Sequence, residues 1–214
     1  MASYNDGKAD VVAYILKQAK RKKSKEAFNI LDVGACDGKW ADFIQAAAAR
    51  QEGLPAIRID AVEAWKPNAD AIEDKYDHVY NITMQAFEYR KDRYDCIIFG
   101  DVIEHMTVED AQKVLEYARE RCKEIIVGVP FSYPQGAIYG NPYEIHIQDD
   151  LTFENFQERY PGFELLFMAR SDYAYFIKSV PSPCEKCKRL RAGCRDSCIP
   201  FKDYQRALQK RGRR

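Results

Sequence analysis

The sequence predicts an α/β fold in which a mainly parallel sheet carries helices on both faces. Apolar segments of strand length alternate with amphipathic segments of helix length through the first 130 residues, as expected of right-handed βαβ crossovers. The chain of 214 residues is long enough for a domain that buries roughly 70% of its extended surface. Near residue 170, two β-rich segments separated by "RSD" predict a terminal hairpin.

The first half of the chain predicts three strands, each preceded by a helix. An amphipathic helix, "VVAYILKQAKRKK", ends in basic residues, which suit a helix C-terminus. The segments that follow are strand "FNILDV", helix "KWADFIQAAAARQ", strand "AIRIDAVE", short helix "KPNADAIEDK" and short strand "DHVYN".

The second half predicts two more parallel strands, "YDCIIFG" and "EIIVGV", separated by the helix "TVEDAQKVLEYARERC" with Thr107 as its N-cap. A long loop rich in Pro, Tyr and Gly, "PFSYPQGAIYGNPYEIHIQDD", comes next. The helix "LTFENFQERY", with Thr152 as its N-cap, then leads to the hairpin strands "FELLFMA" and "YAYFIKSV".

The charge distribution predicts two parts, an acidic domain over residues 1–180 and a basic tail over residues 181–214. The whole chain has 33 basic and 33 acidic side chains, but the tail holds 11 basic against 3 acidic ones. The segment "ASYNDGKAD" after Met1 lacks the features of a secretory signal, and no stretch of roughly 18 apolar residues would span a membrane. We therefore expect a soluble cytoplasmic protein with no membrane association.

The stretch "LDVGACDG" predicts a ligand-binding turn between the first strand and the next helix. Gly34 and Gly38 allow the backbone to approach a ligand closely at a helix N-terminus. Asp32 and Asp37 flank the turn, and their carboxylates would repel a pyrophosphate and favour a cationic ligand. A buried strand-end acid is costly unless it is used, although Asp32 could also simply cap the turn.

Three motifs together resemble those of the class I S-adenosylmethionine (SAM)-dependent methyltransferases. "LDVGACDG" is similar to that family's first motif, "DAVEAW" to its second and "DCIIFGDVIEHM" to its fourth-strand motif, and the resemblance covers residues 1–180. It implies SAM as the cofactor and a Rossmann-like, seven-stranded mixed sheet that ends in an antiparallel strand. The sequence departs from the family at Cys36, where a middle glycine is usual.

The resemblance also implies a set of cofactor contacts. A carboxylate at the end of the second strand can accept hydrogen bonds from both ribose hydroxyls, which places Glu63 at the ribose. Trp65 either stacks on adenine or is a surface aromatic residue. The implied contacts are Asp32, Gly34, Ala35, Cys36, Asp37, Gly38, Glu63, Ala64, Trp65, Ala86, Asp101 and Val102.

Methyl transfer from a sulfonium needs alignment above all, and a base only where the acceptor holds a proton of high pKa. His105, His146, Tyr139 and Tyr143 are the candidate bases; His105 is equally consistent with a structural residue near a helix N-terminus. The loop 130–149 is the candidate acceptor site or an ordinary surface loop. "GNPYEIH" resembles small-molecule and glycan methyltransferases, and "GDVI" lacks the Asp/Asn-Pro-Pro-aromatic tetrad of nucleic-acid amino methylases, which favours a small-molecule or glycan-like acceptor.

The tail carries four cysteines, Cys184, Cys187, Cys194 and Cys198, spaced C-x2-C-x6-C-x3-C. This spacing predicts a structural zinc site, and it resembles the zinc motif of the plant lateral organ boundaries domain over about fifteen residues. Free thiols and an iron–sulfur cluster are the alternatives. The tail's positive charge gives a second function class, a nucleic-acid-associated protein that engages RNA or DNA through residues 181–214. No pattern in the sequence indicates an oligomeric state.

Overall fold

The computed structural model describes residues 5–22, 26–87 and 93–180. Its helices are α1 (Lys8–Arg21), α2 (Lys39–Ala48), α3 (Lys66–Ala71), α4 (Val108–Arg119) and α5 (Phe153–Arg159). Its strands are β1 (Phe28–Val33), β2 (Ile57–Val62), β3 (His78–Tyr80), β4 (Tyr94–Gly100), β5 (Cys122–Pro130), β6 (Glu164–Arg170) and β7 (Tyr173–Ser179). Short 3-10 turns cover Glu73–Lys75, Ile103–His105 and Pro142–Glu144.

The seven strands form one mixed sheet in the order β3-β2-β1-β4-β5-β7-β6. Strands β1 to β5 pair in parallel, and β7 is antiparallel to both β5 and β6. This confirms the predicted parallel sheet with its antiparallel closing hairpin. The strand order reverses direction between β1 and β4, and ligands in open α/β sheets bind at the carboxyl ends of strands beside such a reversal.

Two apolar cores lie on opposite faces of this sheet. Helices α1 and α2 cover one face, where Val11, Leu16 and Ile44 are fully buried against β1 and its neighbours. Helices α4 and α5 cover the other, where Leu115 and Phe156 contribute to the core. Both faces of the sheet are therefore covered by apolar side chains and shielded from solvent. This explains why β4 is buried along its whole length and has a continuous apolar pattern.

The helix ends agree with the sequence where the cap is a side chain. Thr107 accepts a hydrogen bond from the Asp110 N–H, and Thr152 forms a capping box with Asn155. The first helix begins at Lys8, earlier than predicted, because Gly7 caps it in the left-handed conformation without a side-chain bond. The predicted helix through Cys122 ends at Arg119, because Cys122 pairs with Tyr94 of β4.

Among the described residues, no helix combines the length and the apolar character needed to cross a membrane. The tail, with its four cysteines, lies outside the described residues.

Candidate functional site

A cavity of about 320 Å³ opens at the carboxyl edge of the sheet, at the reversal between β1 and β4. Residues that follow β1, β2, β4 and β5 all contribute to its wall, as expected for ligand sites in this class of sheet. Its lining includes Gly34, Ala35, Cys36, Asp37, Lys39, Trp40, Glu63, Ala64, Met84, Gln85, Asp101, Val102, Glu104, His105, Tyr133, Gln135, Asn141, Tyr143, Glu144 and His146.

The turn after β1 forms one wall of the cavity in a conformation that favours glycine. Gly34 has φ 68°, and a Cβ on it would lie 2.7 Å from Cγ2 of Val102. Cys36 has φ 50°, in the left-handed region that non-glycine residues seldom adopt. The family's glycine at this position thus matches the backbone, and the cysteine is accommodated at some cost in strain.

Glu63 follows β2 and is only 5% exposed, with its carboxylate fixed by two backbone groups. The N–H of Cys36 donates to Oε2, and the N–H of Trp65 donates to Oε1, each at 2.8 Å. Burial raises the pKa of Glu63, while these two hydrogen bonds oppose the rise. The carboxylate therefore reaches the cavity in a fixed orientation, with lone pairs left on both oxygens.

Asp32 lies behind the wall and is not among the lining residues. It is fully buried, and the hydroxyl of Tyr76 donates to its Oδ2 at 2.6 Å. Burial raises its pKa to about 7, against the opposing effects of Tyr76 and of the nearby Lys8 ammonium. Lys8 is itself buried, 4.4 Å from the centroid of the Trp40 ring. The predicted contact of Asp32 with the ligand is thus replaced by a supporting position under the turn.

The segment after β4 forms the floor of the cavity. Asp101 and Val102 line it as predicted, and Asp101 has φ 58°. Gly100 permits the approach of the Trp40 indole, since a Cβ on Gly100 would overlap Nε1 of that ring. Trp40 was not predicted as a site residue, although its position just after the glycine turn was an available signal.

Two histidines and a glutamate meet on the side of the cavity formed by the loop after β5. The ring centroids of His105 and His146 are 4.7 Å apart, and His105 lies at the end of a 3-10 turn rather than at a helix start. Burial lowers the pKa of both rings, for His105 to about 4, so both are neutral at pH 7. Burial, followed by the charge of Asp101, raises the pKa of Glu104 well above its usual value. Glu104 belongs to the "DVIEH" motif but was missed as a functional candidate.

Some of the other predicted residues line the cavity, and the rest lie outside its lining. Ala35, Asp37 and Ala64 line the cavity, and Tyr143 does so among the candidate bases. Tyr139 is 98% exposed and does not line the cavity, because a turn closed by the Ile138–Asn141 bridge directs it to solvent. The structure also leaves three predicted contacts outside the lining: Gly38, Trp65 and Ala86.

Comparison with solved structures finds the same fold in many methyltransferases. The N-terminal domain of EvdMO1, with S-adenosylhomocysteine (SAH) bound, has a TM-score of 0.55 at 13% identity, covering 84% of this chain and 83% of that chain. A TehB-like SAM-dependent methyltransferase from Corynebacterium glutamicum has a TM-score of 0.53 at 11% identity, covering 84% and 90%. The small RNA methyltransferase HEN1 has a TM-score of 0.57 at 16% identity, covering 83% of this chain and 26% of that chain.

A search of curated proteins finds no match to this sequence. A family model described as "Methyltransferase domain" matches residues 3–135, which is more than half of the chain. The match spans the glycine turn, Glu63, the "DVIEH" segment and the start of the loop after β5. The chain therefore belongs to the methyltransferase-domain family, which confirms the prediction of a SAM-dependent methyltransferase.

Proposed function

We propose that SAM binds in this cavity with its ribose on Glu63, its methionine portion along residues 34–37 and its adenine against residues 82–85. The observation that carries this proposal is the Glu63 carboxylate, which two backbone N–H groups aim at the cavity from the end of β2. Each oxygen retains a lone pair for one ribose hydroxyl, so a bidentate contact is available without rearrangement.

The charge of the turn supports the same orientation of the cofactor. The carboxylates of Asp37, Asp101 and Glu144 line the cavity together with Gly34. The methionine portion of SAM carries a sulfonium and an ammonium, and both cations gain from nearby carboxylates. A dinucleotide pyrophosphate would be repelled at the same place, which agrees with the choice of SAM.

We propose a small-molecule or glycan-like compound as the methyl acceptor. The loop after β5 contributes hydrogen-bonding side chains to the lining of the cavity, among them Tyr133, Gln135, Asn141 and Tyr143. Such a lining fits a polar acceptor, and His105, His146 and Tyr143, which line the cavity, are the candidate general bases. Because methyl transfer is an in-line displacement, the cavity must hold the acceptor atom directly opposite the sulfonium.

The function is tested by calorimetry with SAH, followed by incubation of the full chain with labelled SAM and a metabolite extract. We expect one SAH per chain and a methylated product identified by mass spectrometry, with SAH formed in equal amount. Absence of SAH binding by the folded protein would refute the cofactor site. Methylation of nucleic acid, with no methylated metabolite, would refute the proposed acceptor class.

A nucleic-acid acceptor is the second candidate, and the charge of residues 181–214 favours it. That segment holds 11 basic and 3 acidic side chains, enough for several phosphate contacts. Two of the similar structures are bacterial Hen1 methyltransferase domains, and a third is a small RNA methyltransferase, but at 16% identity or less this likeness shows the fold alone. RNA or DNA binding by the full chain that weakens steeply with added salt would support this candidate.

We also propose that Cys184, Cys187, Cys194 and Cys198 bind one structural zinc ion as thiolates. Four thiolates close a tetrahedral site, so this ion would order the tail and take no part in methyl transfer. Elemental analysis of protein purified without chelator should show bound zinc, and Cys187→Ser should release one zinc per chain with SAH binding unchanged. A tail that retains no metal and four titratable thiols would contradict this proposal.

A further inference from the structure

The carboxylate of Glu104 is buried without the partners that such a group normally has. Glu104 is 0% exposed, and neither Oε1 nor Oε2 has a hydrogen-bond partner among the described residues. The nearby N–H groups of Val102 and of Glu104 itself favour the charged form without reaching hydrogen-bond geometry. A buried carboxylate left in this state is costly, and the usual compensation is a cation or a proton.

Two imidazole rings lie against each other, and the Nδ1 of each is held by a backbone oxygen of the loop after β5. Nδ1 of His105 lies 3.1 Å from the carbonyl oxygen of Ile145, and Nδ1 of His146 lies 2.6 Å from that of Tyr133. A carbonyl oxygen only accepts, so both Nδ1 atoms carry the hydrogen, and in the neutral rings both Nε2 atoms carry a lone pair. The backbone oxygen of Asp101 also lies near the His105 ring. Histidine ligands of metal ions are commonly fixed by such a hydrogen bond from the second ring nitrogen.

These three groups converge from two segments about 40 residues apart. Their candidate ligand atoms all lie within 4.8 Å of one another. The N–H groups of Ile147 and Gln148 donate to the backbone oxygen of Glu104, at 2.8 and 2.9 Å. The Gln148 side chain also donates to the backbone oxygens of Ile103 and Met106. The loop after β5 is thus tied to the turn that carries Glu104 and His105.

We propose that Glu104, His105 and His146 bind one divalent first-row transition-metal cation through a carboxylate oxygen and two Nε2 atoms. Two imidazoles and a carboxylate form a mixed set that favours such a cation over Mg²⁺ or Ca²⁺, which prefer oxygen ligands alone. Ligand atoms about 2.0 to 2.2 Å from one ion lie about 3 to 3.5 Å apart, so small side-chain rotations from the present spacing close the site.

Three protein ligands leave further coordination positions on the ion, and these face the cavity, because all three residues line it. On the proposed function, this places the cation beside the acceptor, where its open positions fit an acceptor hydroxyl. An ion-bound hydroxyl releases its proton to solvent more readily. Its oxygen then attacks the SAM methyl carbon, the carbon–sulfur bond breaks and SAH leaves. The histidines would thus act through the ion and not as free bases.

The site is tested with Mn²⁺ as the probe, because carboxylate and imidazole suit this ion and the predicted thiolate site of the tail does not. Electron paramagnetic resonance of free Mn²⁺, titrated into the metal-stripped full chain, should show one bound ion per chain. Glu104→Gln and His146→Ala should each weaken binding by at least about 100-fold, since loss of even a supporting group costs about 10- to 100-fold. His78→Ala removes the exposed third histidine of the chain and should bind as the wild type does.

Circular dichroism and thermal melting of each variant check that the fold is intact, and Cys187→Ser should leave the Mn²⁺ titration unchanged. If Glu104→Gln does not fold, His146→Ala carries the test. Absence of Mn²⁺ binding in the wild type, or unaltered binding in a folded Glu104→Gln or His146→Ala variant, would overturn the proposal. The Mn²⁺ titration contains no acceptor, and SAH binding is measured in a separate experiment. A failed metal site can therefore be told apart from a failed proposed function.

Discussion

The Gly34→Val substitution is expected to abolish SAM binding, with a loss of at least about 100-fold in SAH affinity. Gly34 has φ 68°, where a non-glycine residue costs about 1 to 2 kcal/mol and a β-branched one more. The new Cβ would also lie 2.7 Å from Cγ2 of Val102, and overpacking of this kind costs about 1 to 3 kcal/mol. The turn must therefore move, and Cys36, whose N–H fixes Glu63, would move with it.

Gly136→Val is the matched control for this substitution. A Cβ on Gly136 meets nothing within 4 Å, and its backbone is outside the left-handed region, so SAH affinity should be unchanged. Calorimetry measures both variants, and circular dichroism checks their fold. Should Gly34→Val fail to fold, Gly34→Ala carries the smaller side chain into the same contact. Wild-type affinity in a folded Gly34 variant would show that the cofactor does not use this turn.

The Glu63→Ala substitution is expected to weaken SAH binding by about 1.5 to 3 kcal/mol, roughly 10- to 150-fold, the scale for hydrogen bonds to a charged group. The variant removes both proposed ribose contacts, and it also leaves the N–H groups of Cys36 and Trp65 without their acceptor. Glu63→Gln should lose affinity too, because its amide nitrogen would face one of these two donors.

Thermal melting without ligand separates the structural cost of these Glu63 variants from the loss of binding. Asp70→Ala is the control, since it removes a carboxylate from exposed α3, where Asp70 pairs with Lys66 and does not line the cavity. We expect its SAH affinity to equal that of the wild type. Unchanged affinity in folded Glu63→Ala would exclude Glu63 from the cofactor site.

The local pattern of the sequence was sufficient to predict the sheet and its closing hairpin, because buried strands and amphipathic helices differ in the periodicity of their apolar residues. Thr107 and Thr152 were identifiable as caps, because their side chains act within the same turn. The start of β5 at Cys122 was not predictable, because it depends on pairing with Tyr94 of a strand distant in sequence. The start of α1 was not predictable either, because its N-cap is the left-handed Gly7 and not one of the usual capping residues Ser, Thr, Asp or Asn.

The candidate site shows the same division between local and distant information. The glycine turn and Glu63 were predicted, because strand ends meet at one edge of a parallel sheet. Asp32 lies outside the lining, since alternation along β1 puts it on the α1–α2 face with Ile30, where Tyr76 contacts it. Glu104 was missed because its burial depends on the loop after β5, whose Ile147 and Gln148 bind its backbone.

The left-handed Cys36 in the cavity wall also determines how the site responds to electrophiles. Burial raises the pKa of this thiol to about 11, so only about one molecule in ten thousand carries the thiolate at pH 7. Alkylating agents and peroxides react with the thiolate and hardly with the thiol. In the proposed SAM complex this sulfur would lie in the wall that holds the methionine portion, and its raised pKa would protect the binding site from methylation and oxidation.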